Sequence, residues 1–206
     1  MIICDKNKFV FIHIPKNSGT AMTQELQKTY KNTKLLMMCE RDGKNIGIDK
    51  MHLYYDVIYE FIYKNVLDNY FKFCIIRNPY NKLYSAWNFI KERHGYSNVN
   101  DFIKYKLNEE FIYGKEIIPG DARVHYRPQF TFVYDNKNNK FADFIMRYES
   151  LNEDISIMNE KYGLNIKSYD NGNSQKSYIN LLHKESILKI NSLYKKDFEL
   201  FNYEML

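Results

Sequence analysis

Two short apolar runs, each broken off by a proline, constrain this chain more than any other feature. FVFIHI (Phe9–Ile14) stops at Pro15, and FKFCII (Phe71–Ile76) runs into Arg77-Asn78-Pro79. Near-continuous apolar stretches of this length read as strands buried on both faces, the kind found inside parallel sheets. A helix-like pattern follows each. The first is Ala21–Tyr30. The second is capped by Asn78, carries Pro79 in its first turn and runs to about His94, before Gly95. KLLMMC (Lys34–Cys39) and FADFIMR (Phe141–Arg147) are further strand candidates. Leu53–Val66, Asp101–Phe111 and Glu185–Phe201 read as helices, and Ser150-Leu-Asn-Glu153 reads as a capping box that opens a helix ending near Gly163. Strands alternating with helices predict an α/β fold of three layers, with a central, mainly parallel sheet flanked by helices. No repeat or linker divides the 206 residues, so a single domain over 1–206 is expected.

Composition narrows the function classes. The chain is 45% hydrophobic and 17% aromatic, ample for a core. Its formal charge of +5 is a mild excess spread along the chain, which suits a phosphate-bearing small molecule or an acidic glycan better than a nucleic-acid track. Cys4, Cys39 and Cys74 are widely spaced, form no C-x-x-C pair and read as reduced core thiols of a cytoplasmic protein, with no metal expected. The start, MIICDKNKF, lacks the pattern of a signal peptide, and no apolar run approaches the roughly 18 residues of a membrane span.

The chemistry concentrates after the two buried strands. In IPKNSGT a loop between strand and helix directs free backbone N–H groups into a concavity, small residues allow close approach, and Lys16 adds a charge. The expected fold is therefore P-loop-like, with Lys16, Asn17, Ser18, Gly19 and Thr20 forming a phosphate cradle. The NTPase order GxxxxGK[ST] is absent, and no Asp ends the second or third strand to hold Mg²⁺. In RNPYNKLYS, Arg77 at a strand tip and Ser85 on the next helix can converge on a second phosphate.

Together the two segments resemble the sulfotransferases. IPKNSGT resembles their 5′-phosphosulfate loop, and RNPYNKLYS their 3′-phosphate motif, Arg-Asp-Pro-x-x-Arg-x-x-Ser, with Asn78 for Asp and Lys82 for Arg. PQF (Pro128–Phe130), RYESLNED (Arg147–Asp154) and LYKKDFELFNY (Leu193–Tyr203) resemble further anchors of the carbohydrate sulfotransferases and their bacterial relatives, in the same order along the chain. The resemblance implies 3′-phosphoadenosine 5′-phosphosulfate (PAPS) as donor and a hydroxyl acceptor, with a glycan or surface-polysaccharide precursor in a bacterial cytoplasm fitting best. Lys16 is then expected to stabilise the leaving phosphate oxygen, and a histidine of near-neutral pKa to take the acceptor proton. His52, in DKMHLYYD, is the expected base, with His125 in reserve. Arg77 and Ser85 bind the 3′-phosphate, and Lys176 in GNSQKSY reaches the nucleotide. His13 reads as a satisfied polar core group, and Glu149 as structural. An ATP-dependent kinase, or a non-catalytic nucleotide- or glycan-binding protein, is the alternative reading.

Overall fold

The computed structural model describes residues 1–36, 38–41, 44–114, 122–169 and 177–206. Its strands are β1 (Ile2–Cys4), β2 (Phe9–Ile12), β3 (Thr33–Leu35), β4 (Met38–Arg41), β5 (Lys44–Asp49), β6 (Phe71–Ile76) and β7 (Phe144–Arg147). Its helices are α1 (Gly19–Thr29), α2 (Tyr55–Phe61), α3 (Lys64–Asn69), α4 (Pro79–His94), α5 (Val99–Tyr105), α6 (Glu109–Tyr113), α7 (Phe130–Val133), α8 (Leu151–Tyr162), α9 (Lys184–Leu193) and α10 (Lys195–Phe201).

Five strands form one sheet in the order β3-β1-β2-β6-β7. The two pairings β2–β6 and β6–β7 are parallel, whereas β1 runs antiparallel to both of its neighbours. Four strands thus point one way, and β1 alone opposes them. In the register, Ile12 lies beside Cys74 and Ile76 beside Arg147. The segments leaving β2, β6 and β7 therefore emerge side by side at the carboxyl edge of the sheet, where α/β folds build their sites.

Strand alternation sorts side chains onto two faces. Phe9, Phe11, Phe73 and Ile75 pack with Met22 and Leu26 of α1 and with Ile155 and Met158 of α8. Val10, Ile12, Cys74 and Ile76 pack with Ile58, Leu67 and Phe132 from α2, α3 and α7. Three layers result. A further core joins α4, α5, α9 and α10 through Leu83, Trp87, Phe102, Ile190 and Phe198.

Helix ends set by local chemistry fall where the sequence puts them. Asn78 Oδ1 accepts from the N–H of Tyr80 and Asn81 to open α4, and Gly95, at φ 69°, closes it. Gly163, at φ 65°, closes α8. Other expectations are corrected. The Lys34–Cys39 strand is two, β3 and β4, with β4 pairing β5 in a hairpin. The helix expected over Leu53–Val66 is split into α2 and α3. That over Asp101–Phe111 is split into α5 and α6 because Asn108 caps the second piece by accepting from Phe111 N–H. The capping box at Ser150 does not form: Asp154, not Glu153, turns back to accept from Ser150 Oγ and from Arg147 N–H.

The expected final helix breaks at Tyr194, whose φ of −111° and ψ of 20° leave the helical region. The break starts a new helix in time for Asp197 to turn its fully buried carboxylate onto the backbone N–H groups of Gln129 and Phe130, each at 2.8 Å. Burial pushes this carboxyl up to about 6, while the two N–H donors pull it down. Asp197→Ala strands both N–H groups in a dry environment. The expected loss is about 2–5 kcal/mol, read as a lower urea midpoint at unchanged slope, with Asp197→Asn losing less because one acceptor survives.

Candidate active site

The loop after β2 carries the expected cradle, and its backbone is strained. Lys16 and Ser18 both adopt left-handed conformations, at φ 68° and φ 64°, each costing of order 1–3 kcal/mol in a non-glycine residue. Side chains from outside hold the loop in this shape. Asn17, almost fully buried, donates through Nδ2 to Ile75 O at 2.8 Å and to Gln129 Oε1 at 2.7 Å. Gln129 Oε1 also accepts from Arg77 N–H at 2.8 Å, and its Nε2 donates to Arg77 O at 2.8 Å. Arg77 Nη1 donates to Lys16 O at 3.1 Å. Strand tip, loop and the segment before α7 form one hydrogen-bonded block.

Gly19 opens α1, and its small size has a local cause. A Cβ there would lie 1.9 Å from Cδ2 of His13. The ring of His13 fills the floor beneath the loop and stacks against Phe11 with centroids 5.8 Å apart.

A pocket of about 430 Å³ lies above this block, at the carboxyl edge of the sheet. Lys16, Ser18, Gly19, Thr20, His52, Arg77 and Ser85 all line it, together with His125. Six of the eight residues expected to hold the donor therefore line it, as does the expected base. The side chain of Asn17 is turned away as the brace just described. Lys176 lies outside the described residues. The pocket wall also contains His13, Phe89 and Tyr148, which the sequence reading did not place there.

Electrostatically the pocket is cationic and held under tension by burial. Arg77 is only 5% exposed, with its guanidinium carbon 4.1 Å above the ring of Tyr148 and its Nε buried without a hydrogen-bond partner. Burial lowers its pKa. Burial, then the Arg77 charge, bring Lys16 down to about 8. Lys82, which the sequence places in the anion motif, is instead 2% exposed and donates to His125 O at 2.8 Å and Arg127 O at 3.0 Å. It pins the segment bearing His125 onto α4. A buried donor without a partner and two depressed cations are features that an incoming anion relieves.

Three imidazoles meet at one wall. His52 is packed edge-on to His13 with centroids 4.6 Å apart, and lies 5.4 Å from His125. His52 Nδ1 is 2.9 Å from His13 O. A carbonyl only accepts, so Nδ1 carries the proton, and in the neutral ring Nε2 is the basic nitrogen. Here the expectation of a near-neutral pKa is corrected: burial pushes His52 down to about 3, against the pull of that carbonyl. His13 is corrected too. It is buried, but its Nδ1 has no hydrogen-bond partner, and burial lowers its pKa well below the usual value. Glu149 is structural, accepting from Asn78 N–H and Tyr203 Oη, each at 2.8 Å.

A family model described as the sulfotransferase family matches residues 1–204. The chain belongs to this family. Searches of curated proteins and of solved structures find no match to it. Among the described residues, this sulfotransferase has no group of side chains that could hold a metal ion and no helix long and apolar enough to cross a membrane.

The ring geometry of the sulfotransferase predicts its titration. Nitrogen-15 NMR should find His52 neutral and protonated at Nδ1 from pH 8 down to pH 5. Protonation of that ring near the ordinary histidine value would contradict the burial that sets it.

Proposed function

We propose that the chain transfers a sulfonate group from PAPS to a hydroxyl of a glycan or surface-polysaccharide precursor, in the cytoplasm. The observation that carries this reading is the convergence of Lys16, Arg77, Ser85 and His52 on one pocket at the carboxyl edge of the sheet. A donor with two separated anionic groups matches two separated anion-binding elements. In this reading the loop acts as a P-loop-like cradle: Lys16 and the N–H groups of Ser18, Gly19 and Thr20 hold the 5′-phosphosulfate. Arg77 and Ser85 hold the 3′-phosphate, with the partnerless Nε of Arg77 available to it. Asn17 serves by bracing the loop, and Lys176 reaches the nucleotide.

The chemistry then divides between two side chains. The acceptor oxygen attacks sulfur, the bond from sulfur to the phosphate oxygen breaks, and the hydroxyl proton passes to Nε2 of His52. Charge growing on the leaving oxygen is met by Lys16, which the strained loop presents to the pocket. A histidine at about 3 is fully unprotonated but weakly basic. The positive charges of Lys82 and Lys16 contribute to that low value, and an anionic donor offsets them, making the ring a better base once the donor is bound.

The direct test is nucleotide binding by calorimetry with EDTA present. Adenosine 3′,5′-bisphosphate should bind far more tightly than AMP, and Arg77→Ala should remove about 1.5–3 kcal/mol from the first while barely affecting the second. Equal losses for both would remove Arg77 from the 3′-phosphate site, and preference for ATP with Mg²⁺ would favour the kinase alternative.

Turnover should separate the two catalytic side chains. Lys16→Ala should lose both rate and donor affinity. His52→Ala should lose roughly 10²–10⁴-fold in rate with donor affinity nearly unchanged. The pH profile follows from the two depressed values. His52 must be unprotonated and is so above about 3, whereas Lys16 must be protonated and loses its proton as pH rises through about 8. Accordingly kcat/KM should stay level from pH 5 to 7.5 and fall above about 8, a fall that Lys16→Arg should abolish. An acid limb between pH 5 and 7.5 that is lost in His125→Ala would move the base to His125.

A further inference from the structure

Among the described residues of the pocket wall, Phe89 is the aromatic side chain most open to solvent. It is 62% exposed and belongs to none of the three apolar cores. A lone exposed phenyl is ordinary on a surface. This one lies four residues after Ser85, on the same face of α4, and lines the pocket. Just beyond it, Ile90 leaves helical geometry at φ −131° and ψ 16°. The partners of the ring are the cradle lysine and the neighbour of the expected base. The Lys16 ammonium sits 3.8 Å from its centroid, and His125 packs against it at 5.4 Å and 38°. With His125 against His52 and His52 against His13, these side chains form a row along one side of the pocket.

The row sets one apolar ring, Phe89, among polar groups: Lys16, Ser85 and the imidazoles. That matches a pyranose ring, which offers a flat face of C–H groups and a circumference of hydroxyls. A wholly apolar acceptor would leave Ser85 and the imidazoles facing carbon. The phenyl face and the cradle also compete for one cation, because an ammonium drawn to a 5′-phosphate cannot remain on the ring. Resting on the sulfotransferase reading above, we propose that Phe89 is the stacking platform for the pyranose ring of the acceptor, and that Lys16 covers it until the donor's 5′-phosphate draws the ammonium away. Donor binding thereby uncovers the acceptor site, and substrates add in that order.

The test is saturation-transfer NMR with methyl β-D-glucopyranoside as the pyranose probe and sorbitol as an acyclic control. With adenosine 3′,5′-bisphosphate present, the wild type should saturate the axial ring hydrogens of the glycoside and leave sorbitol unaffected. Without nucleotide the glycoside signal should drop several-fold, on the scale of one masked cation–π face. Phe89→Ala should bind the glycoside roughly tenfold more weakly while keeping its nucleotide affinity, and Phe89→Trp should restore it. Lys16→Ala should bind the glycoside without nucleotide. Equal glycoside binding by wild type and Phe89→Ala overturns the platform. Nucleotide-independent binding by the wild type, or its failure to bind the glycoside at all, overturns the proposal too. If the wild type then sulfates a non-sugar hydroxyl, the sulfotransferase reading stands without the platform. A wild type that binds no nucleotide takes down both.

Discussion

A single side-chain amide holds the site together. Gln129 offers a donor and an acceptor side by side, and both close on the backbone of Arg77, as a neighbouring strand would. The same oxygen takes the Asn17 amide, and the backbone N–H of Gln129 rests on Asp197. Few side chains can do this. Glutamate would set a second acceptor against the Arg77 carbonyl, and leucine would leave buried backbone groups unpaired. Because Asp197 lies on α10, the last helix is linked to the loop after β2 through two residues. The strained φ values at Lys16 and Ser18 persist because this network over-determines them.

The second governing constraint is the crowding of buried positive charge. Lys16, Arg77 and Lys82 lower one another or are lowered by burial, and Asp197 is the counter-charge that raises Lys82. Only part of this charge is available for binding. Lys82 spends its ammonium on two carbonyls, so a residue that looks like a ligand by motif works as a strut. Lys16 has its backbone carbonyl tied by Arg77, while its side chain reaches the pocket. The division of labour follows burial: the 2% exposed lysine builds, and the half-buried lysine faces the pocket.

What could be read from the sequence was whatever local chemistry decides. Asn78-Pro79 and Gly95 bracket α4 because cap geometry requires those residue types at those places. The runs through Phe9 and Phe71 became β2 and β6 because a strand buried on both faces has few alternatives. The site's main anchors were legible for a related reason: a strand tip, a loop and a helix start are fixed by the same signals. Tertiary context decided the rest. Strand β1 was missed because IIC followed by a polar turn is a short hairpin arm whose pairing depends on β3, far along the chain. The helix over Glu185–Phe201 looked continuous because Ile190, Tyr194 and Phe198 keep helical spacing, and only the demand of Asp197 for two distant N–H groups reveals the break. His52 was legible as a candidate, whereas its pKa depended on burial and on the positive charges that the fold brings near it, the N-terminus, Lys82 and Lys16.

The contact between His13 and Gly19 places a condition on how such a chain can vary. The floor of the cradle is an imidazole, and the missing side chain at position 19 is its negative image. The glycine therefore records the presence of the histidine as much as that of any phosphate. A lineage that shrinks the ring gains freedom at position 19, and one that keeps the ring cannot use that freedom. The two positions form a single heritable unit, in which a side chain at position 19 requires a smaller residue at position 13.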